Sequence, residues 1–87
     1  MDALDGNAIA GLLQEVFGAE MTTATVTCGH CSARWIVGEL TVYLQAPGTV
    51  VRCRSCTDVL MVIVEARGIK CVDLMGMAML EQALSGP

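Results

Sequence analysis

Aromatic side chains are almost missing from this chain: Phe17, Trp35 and Tyr43 are all it has. Proteins that hold single-stranded nucleic acid stack bases on aromatic rings, so the shortage argues against that role. Bases are scarce as well, five against nine acids, and the formal net charge is -4 with a pI near 4.6. An acidic surface repels phosphate, which disfavours nucleic acid and anionic membranes as partners. No long hydrophobic run exists either. The longest aliphatic stretch, "VLMVIV", is closed by Asp58 and Glu65, well short of the about 20 apolar residues of a membrane span. "MDALDGNAIAGLL" carries acids and no base ahead of its apolar part, the reverse of a secretory signal. The expected location is therefore the cytoplasm, where paired cysteines bind metal more often than they form disulfides.

The single histidine, His30, has no Ser and Asp at triad spacing and no paired carboxylates beside it, and the chain has no glycine-rich phosphate loop. The expectation is a protein that is not an enzyme and takes no small-molecule substrate. What the chain does have is aliphatic bulk and cysteine. The hydrophobic fraction is 54% and the mean hydropathy +0.60, so the core is aliphatic, with Met and Cys filling gaps. Its 87 residues make one domain, 1–87. A domain of this size buries only about 60 to 65% of its unfolded surface and commonly needs a staple from metal, disulfide or partner.

The hydrophobic pattern predicts a short helix over 5–17, capped by Asp5 or Asn7. Its apolar residues Ile9, Leu12, Leu13, Val16 and Phe17 recur at helical spacing, and Gly18 ends it. The polar side shows Gln14 and Glu15 rather than Lys and Arg, which points to core packing and not to a membrane surface. From Thr22 the residues become β-branched, and 22–82 reads as mainly antiparallel strands. "TTATVT" runs into Cys28, "ELTVYLQ" alternates, "APG" makes a turn, and "TVVR" leads to Cys53. "VLMVIVE", the turn "ARG" and "IKCVDL" form a hairpin. "MGMAMLEQAL" mixes both periodicities; the alternation of Met75, Met77 and Met79 favours a strand.

Cys28 and Cys31 are separated by two residues, as are Cys53 and Cys56, and 21 residues lie between the pairs. A tight turn with two intervening residues aims both thiolates at one point about 2.3 Å away, and two such knuckles complete a tetrahedron. The pattern predicts one Zn2+ per chain. The gap is slightly above the usual about 15 to 20 residues; an out-and-back hairpin, "RWIVGELTVYLQAPGTVVR", accommodates it. Four thiolates on one dication would take the chain to a net charge of about -6, and Arg34, Arg52 and Arg54 beside the pairs offset part of it.

"CGHC" alone could be a dithiol redox site, but that chemistry needs a helix starting at the first cysteine, and "SARWIVGELTVYL" is rich in strand formers. Iron in a rubredoxin-like site is a rival; that family favours Gly after the second cysteine of each pair, and this chain has Ser32 and Thr57. His30 is expected to point outward as a spectator, and Cys71 to be a small buried hydrophobe.

Taken together, "LDGNAIAGLLQEVFG", "VTC..C", "VYLQAPGTVVRC..C", "VLM" and "VDLMG" resemble a family of small uncharacterised actinobacterial zinc-ribbon proteins, a domain of unknown function. The likeness covers nearly the whole chain. It implies a zinc ribbon in the α+β class, a short N-terminal helix packed on an antiparallel β-sheet with two Cys-x-x-Cys knuckles, and Cys28, Cys31, Cys53 and Cys56 as ligands. It implies no activity. The Met-rich tail departs from the pattern.

Three functions compete: a non-enzymatic zinc module that acts through protein–protein interaction, a nucleic-acid-binding ribbon of transcription, and a dithiol redox or metal-handling protein. For the first, a surface is needed. Alternation through 35–44 assigns Ile36, Leu40, Val42 and Leu44 to the helix-covered core. Trp35, Val37 and Tyr43 then form the opposite face, a candidate site for a protein partner or for a homodimer.

Overall fold

The computed structural model describes residues 4–45 and 48–81. It is a small α+β structure with one short α-helix and two antiparallel sheets. In chain order the elements are β1 (Leu4–Asp5), a 3-10 turn (Gly6–Ile9), α1 (Ala10–Phe17), β2 (Thr25–Cys28) and β3 (Arg34–Ile36). A second 3-10 turn (Val37–Glu39) leads to β4 (Thr41–Gln45), β5 (Gly48–Arg52), β6 (Val59–Ala66), β7 (Ile69–Asp73) and β8 (Met77–Glu81).

The expected helix divides in two. The Asp5 carboxylate accepts the Asn7 backbone N–H at 3.1 Å and starts the 3-10 turn; α1 follows. Gly18, at φ 71°, closes it by donating its N–H to the Gln14 carbonyl at 2.8 Å. A left-handed residue at this position is where glycine costs least. Leu13 is fully buried, and Leu12, Val16 and Phe17 pack around it against the core.

One sheet has five strands in the order β1-β4-β5-β6-β7, the other three in the order β3-β2-β8. In the larger sheet the register aligns Leu4, Val42, Val51 and Met61 across β1, β4, β5 and β6. Directly opposed residues share a face, and Val42, Val51 and Met61 are buried. A register shift between Val51 and Arg52 explains why Leu60 and Met61, adjacent in sequence, are both buried: a bulge interrupts the alternation. Val26 and Cys28 supply the inward side of β2.

Between β6 and β7, Arg67 and Gly68 have φ of 54° and 78°, the two-residue turn whose twist suits a hairpin. The Met-rich tail forms β8, antiparallel to β2. Its residues 82–84, and Ala46 and Pro47 of the expected "APG" turn, lie outside the described residues.

Two expectations need correction. The stretch 35–44 is not one strand. The 3-10 turn at Val37–Glu39 breaks it, so that β3 joins the small sheet and β4 the large one. Alternation therefore does not carry through: Val37 is buried at 1% exposure, whereas Ile36 and Leu44 are 46% and 47% exposed. Trp35 and Tyr43 sit in different sheets and, with Val37 buried, do not share a face. Cys71, expected inside, is exposed on β7: it pairs with Val64, on the face opposite the buried Ile63, in a strand at the edge of the sheet.

Gly76 lies flat against β6: a Cβ added there would collide with the Val59 carbonyl and come within 2.8 Å of the Leu60 Cα. Gly76→Ala is expected to destabilise the fold by about 2 kcal/mol and lower Tm by about 10 °C. Gly11, in α1 with nothing within 4 Å of an added Cβ, is the control. Gly11→Ala is expected to stabilise by about 0.5 kcal/mol. Thermal melts of the two variants check both signs.

Candidate metal centre

Each Cys-x-x-Cys pair occupies the turn of a hairpin. β2 and β3 flank the first and β5 and β6 the second, so the two knuckles belong to different sheets. The single hairpin expected between the pairs is in fact split between both sheets. The strands deliver Cys28 and Cys53 inward, each 1% exposed, while Cys31 is exposed and Cys56 half-buried at the rim.

The two turns repeat one hydrogen-bond pattern. Cys28 N–H donates to Ala33 O at 2.9 Å and Ser32 N–H to Cys28 O at 3.1 Å; Cys53 N–H donates to Asp58 O at 2.9 Å and Thr57 N–H to Cys53 O at 3.0 Å. Backbone N–H groups also aim at the buried sulfurs: His30 and Cys31 at Cys28 Sγ, at 3.3 and 3.5 Å, and Ser55 at Cys53 Sγ, at 3.4 Å. Donors directed at sulfur favour the thiolate.

All four Sγ atoms lie within 4.8 Å of one another. Across the knuckles, Cys28 Sγ to Cys56 Sγ and Cys31 Sγ to Cys53 Sγ are both 3.7 Å. A disulfide would need about 2.05 Å. A regular tetrahedron with sulfurs about 2.3 Å from its centre has edges of about 3.8 Å, and the two cross-knuckle distances match it. The four cysteines are thus placed to hold one metal ion.

Electrostatics lead to the same requirement. Burial disfavours the Cys53 thiolate, yet the backbone N–H groups of Cys56 and Ser55, with the Cys31 and Cys56 thiols, outweigh it and hold the group down at about 7. At Cys56 the Asp58 N–H favours the thiolate, but burial and the Cys28, Cys31 and Cys53 thiols prevail, and the group is pushed up to about 12. Four thiolates this close do not ionise together unless a cation neutralises them.

The neighbouring arginines are held by contacts of their own. Arg52 donates to Thr57 O at 2.9 Å and lies 5.9 Å from the Tyr43 ring centroid, bracing the second knuckle from outside. Arg54 stacks over Trp35 at 5.5 Å. Arg34 pairs with Glu81 at 3.7 Å. His30 is exposed. The indole N–H of Trp35 is buried without a hydrogen-bond partner among the described residues.

Sequence reasoning missed the conformational role of Ser32 and Thr57. Each follows the second cysteine of its pair, and their φ values are 65° and 63°. The signal was present in the pattern that puts glycine at this position; here the left-handed turn forms with a side chain in place.

These features define a class: a small α+β domain organised around a four-cysteine candidate metal centre. Residues 1–85 match the family of unknown function DUF6510, and the chain belongs to that family. No curated protein and no solved structure matches it.

A β-branched residue at positive φ is the more costly of the two. Thr57→Gly is expected to relieve about 1 kcal/mol of strain, partly offset by the extra freedom of glycine in the unfolded chain. A Tm raised by a few degrees with unchanged metal content is the expected result of a melt and a metal assay.

Proposed function

We propose that this protein is a non-enzymatic zinc-binding module of the zinc-ribbon type, which works in the cytoplasm through protein–protein contacts. The observation that carries the reading is the sulfur geometry, with cross-knuckle distances of 3.7 Å. An all-thiolate set closed on four ligands suits Zn2+ in a structural site, because a catalytic zinc keeps one position open for water. Cys28, Cys31, Cys53 and Cys56 would hold the ion, and its chemistry would be to neutralise the thiolates and staple the fold. Support for a structural role comes from the placement of the knuckles in different sheets. Among the described residues no other group of three or more His, Cys, Asp and Glu side chains converges.

Other features support protein contact over nucleic acid. Arg34, Arg52 and Arg54, the bases beside the knuckles, are engaged by Glu81, by Thr57 and Tyr43, and by Trp35. The net charge of -4 opposes phosphate binding.

Elemental analysis after mild purification is expected to find one zinc per chain. Iron in its place, or no metal in a folded sample, would overturn the assignment. Structural zinc sites in small peptides are worth on the order of 10 kcal/mol, so a strong chelator is expected to unfold the chain, as followed by circular dichroism. Cys53→Ser is expected to lose the metal and the fold, and Cys71→Ser to keep both.

A further inference from the structure

The strand β7 carries no function in the reading above, and no strand pairs with its outer edge among the described residues. Sheet edges normally carry protection, because their unpaired N–H and C=O groups recruit other strands. Of the edge strands here, β1 has two residues and β3 three, and β8 is irregular, its register with β2 shifting between Thr27 and Cys28. β7 differs: it pairs with β6 over five residues in unbroken register. It contains no proline or bulge, and it exposes apolar side chains, with Ile69 at 65% and Val72 at 36%.

The register shows what the edge offers. The two-residue turn at Arg67 and Gly68 makes Ala66 and Ile69 a hydrogen-bonded pair. By the alternation of antiparallel ladders, Cys71 and Asp73 also bond inward to Val64 and Val62. Lys70 and Val72 are then the residues whose N–H and C=O point away from the sheet. Cys71 lies between them, at the centre of the strand.

We propose that β7 is a self-association edge: a second copy of this chain pairs with it, antiparallel, about a two-fold axis through Cys71. In that register Lys70 of each copy exchanges backbone hydrogen bonds with Val72 of the other, and both outward-facing residues are used. Centring the axis on Lys70 would set like charges opposite each other. With the axis at Cys71, Lys70 lies opposite an aliphatic residue and its charge is already met within its own chain, by Glu65 at 2.9 Å and Glu15 at 3.3 Å. Val64 and Cys71 of one copy continue into Cys71 and Val64 of the other, an apolar row crossing the junction.

The two Cys71 residues face each other as a non-hydrogen-bonded pair, with Cα atoms about 4.5 Å apart, inside the range that a disulfide spans. The edge alone buries much less than the about 800 Å² per partner of a standard interface, so the dimer is weak and fills only at high micromolar concentration. This inference goes beyond the metal reading and does not depend on which ion is bound.

The test uses the metal-loaded chain, with metal content measured on every sample so that loss of fold is separated from loss of pairing. Sedimentation over a concentration series is expected to show a monomer–dimer equilibrium. Val72→Pro removes an N–H that faces solvent in the monomer, a place where an edge strand tolerates proline; it is expected to keep its metal and abolish the dimer. Cys71→Lys places like charges at the axis and is expected to raise Kd at least about tenfold.

Oxidised glutathione supplies a covalent readout. Cys71 attacks it, releasing one glutathione and leaving a mixed disulfide. Cys71 of the second copy then displaces the other glutathione, giving a Cys71–Cys71 disulfide that Cys71→Ser lacks. A metal-loaded chain that stays monomeric at high micromolar concentration would overturn the proposal. So would a dimer that both Val72→Pro and Cys71→Lys leave intact, or a cross-link running through Cys31 instead.

Discussion

Four sulfur atoms within 4.8 Å of one another are the constraint around which the rest of this structure is arranged. Thiols can share such a space only by keeping their protons, and thiolates only with a cation among them. Because one knuckle closes the β2–β3 hairpin and the other the β5–β6 hairpin, the cluster is also where two separate sheets are tied together. In a chain of 87 residues, whose core cannot grow large, a cross-sheet staple acts on the element the hydrophobic effect holds least well, the relative placement of the sheets.

The backbone meets this constraint twice in the same way. At each knuckle the first cysteine sits at the end of a strand, Cys28 as the last residue of β2 and Cys53 just past β5, and is buried; backbone N–H turns toward its sulfur, and a left-handed residue reverses the chain. Ser32 and Thr57 hold that last place despite their side chains. Arg52 reaches the Thr57 carbonyl from outside, so the costlier of the two turns is the one with a side-chain brace. Arg54 uses the face of Trp35 in a comparable way. The arginines that sequence proximity linked to thiolate charge also make contacts of their own around the site, with Glu81, with Thr57 and Tyr43, and with Trp35.

The outer surface follows from the topology. With β1 and β7 at the margins of the large sheet and β3 and β8 at those of the small one, exposure is decided by position in the sheet as much as by residue type. Cys71, Ile69 and Val72 are apolar or nearly so and lie at an edge. Val37, which alternation sent outward, belongs to the buried core, and its turn is tied to the segment just before β2: its N–H donates to Ala24 O at 2.9 Å.

The local features could be read before folding. The spacing of Cys28, Cys31, Cys53 and Cys56 marked the candidate ligands, since two intervening residues make a turn wherever it occurs. Gly18 marked the helix end, and the alternation of Met77 and Met79 marked β8, because these signals act within a few residues of chain. The tertiary structure alone decided what depends on partners far apart in sequence. It placed the break at Val37–Glu39 that sends β3 and β4 into different sheets, separated Trp35 from Tyr43, and left Cys71 exposed in a strand at the sheet margin. Strand order and burial are properties of which strands meet, and a periodicity of two along one strand carries no record of its neighbours.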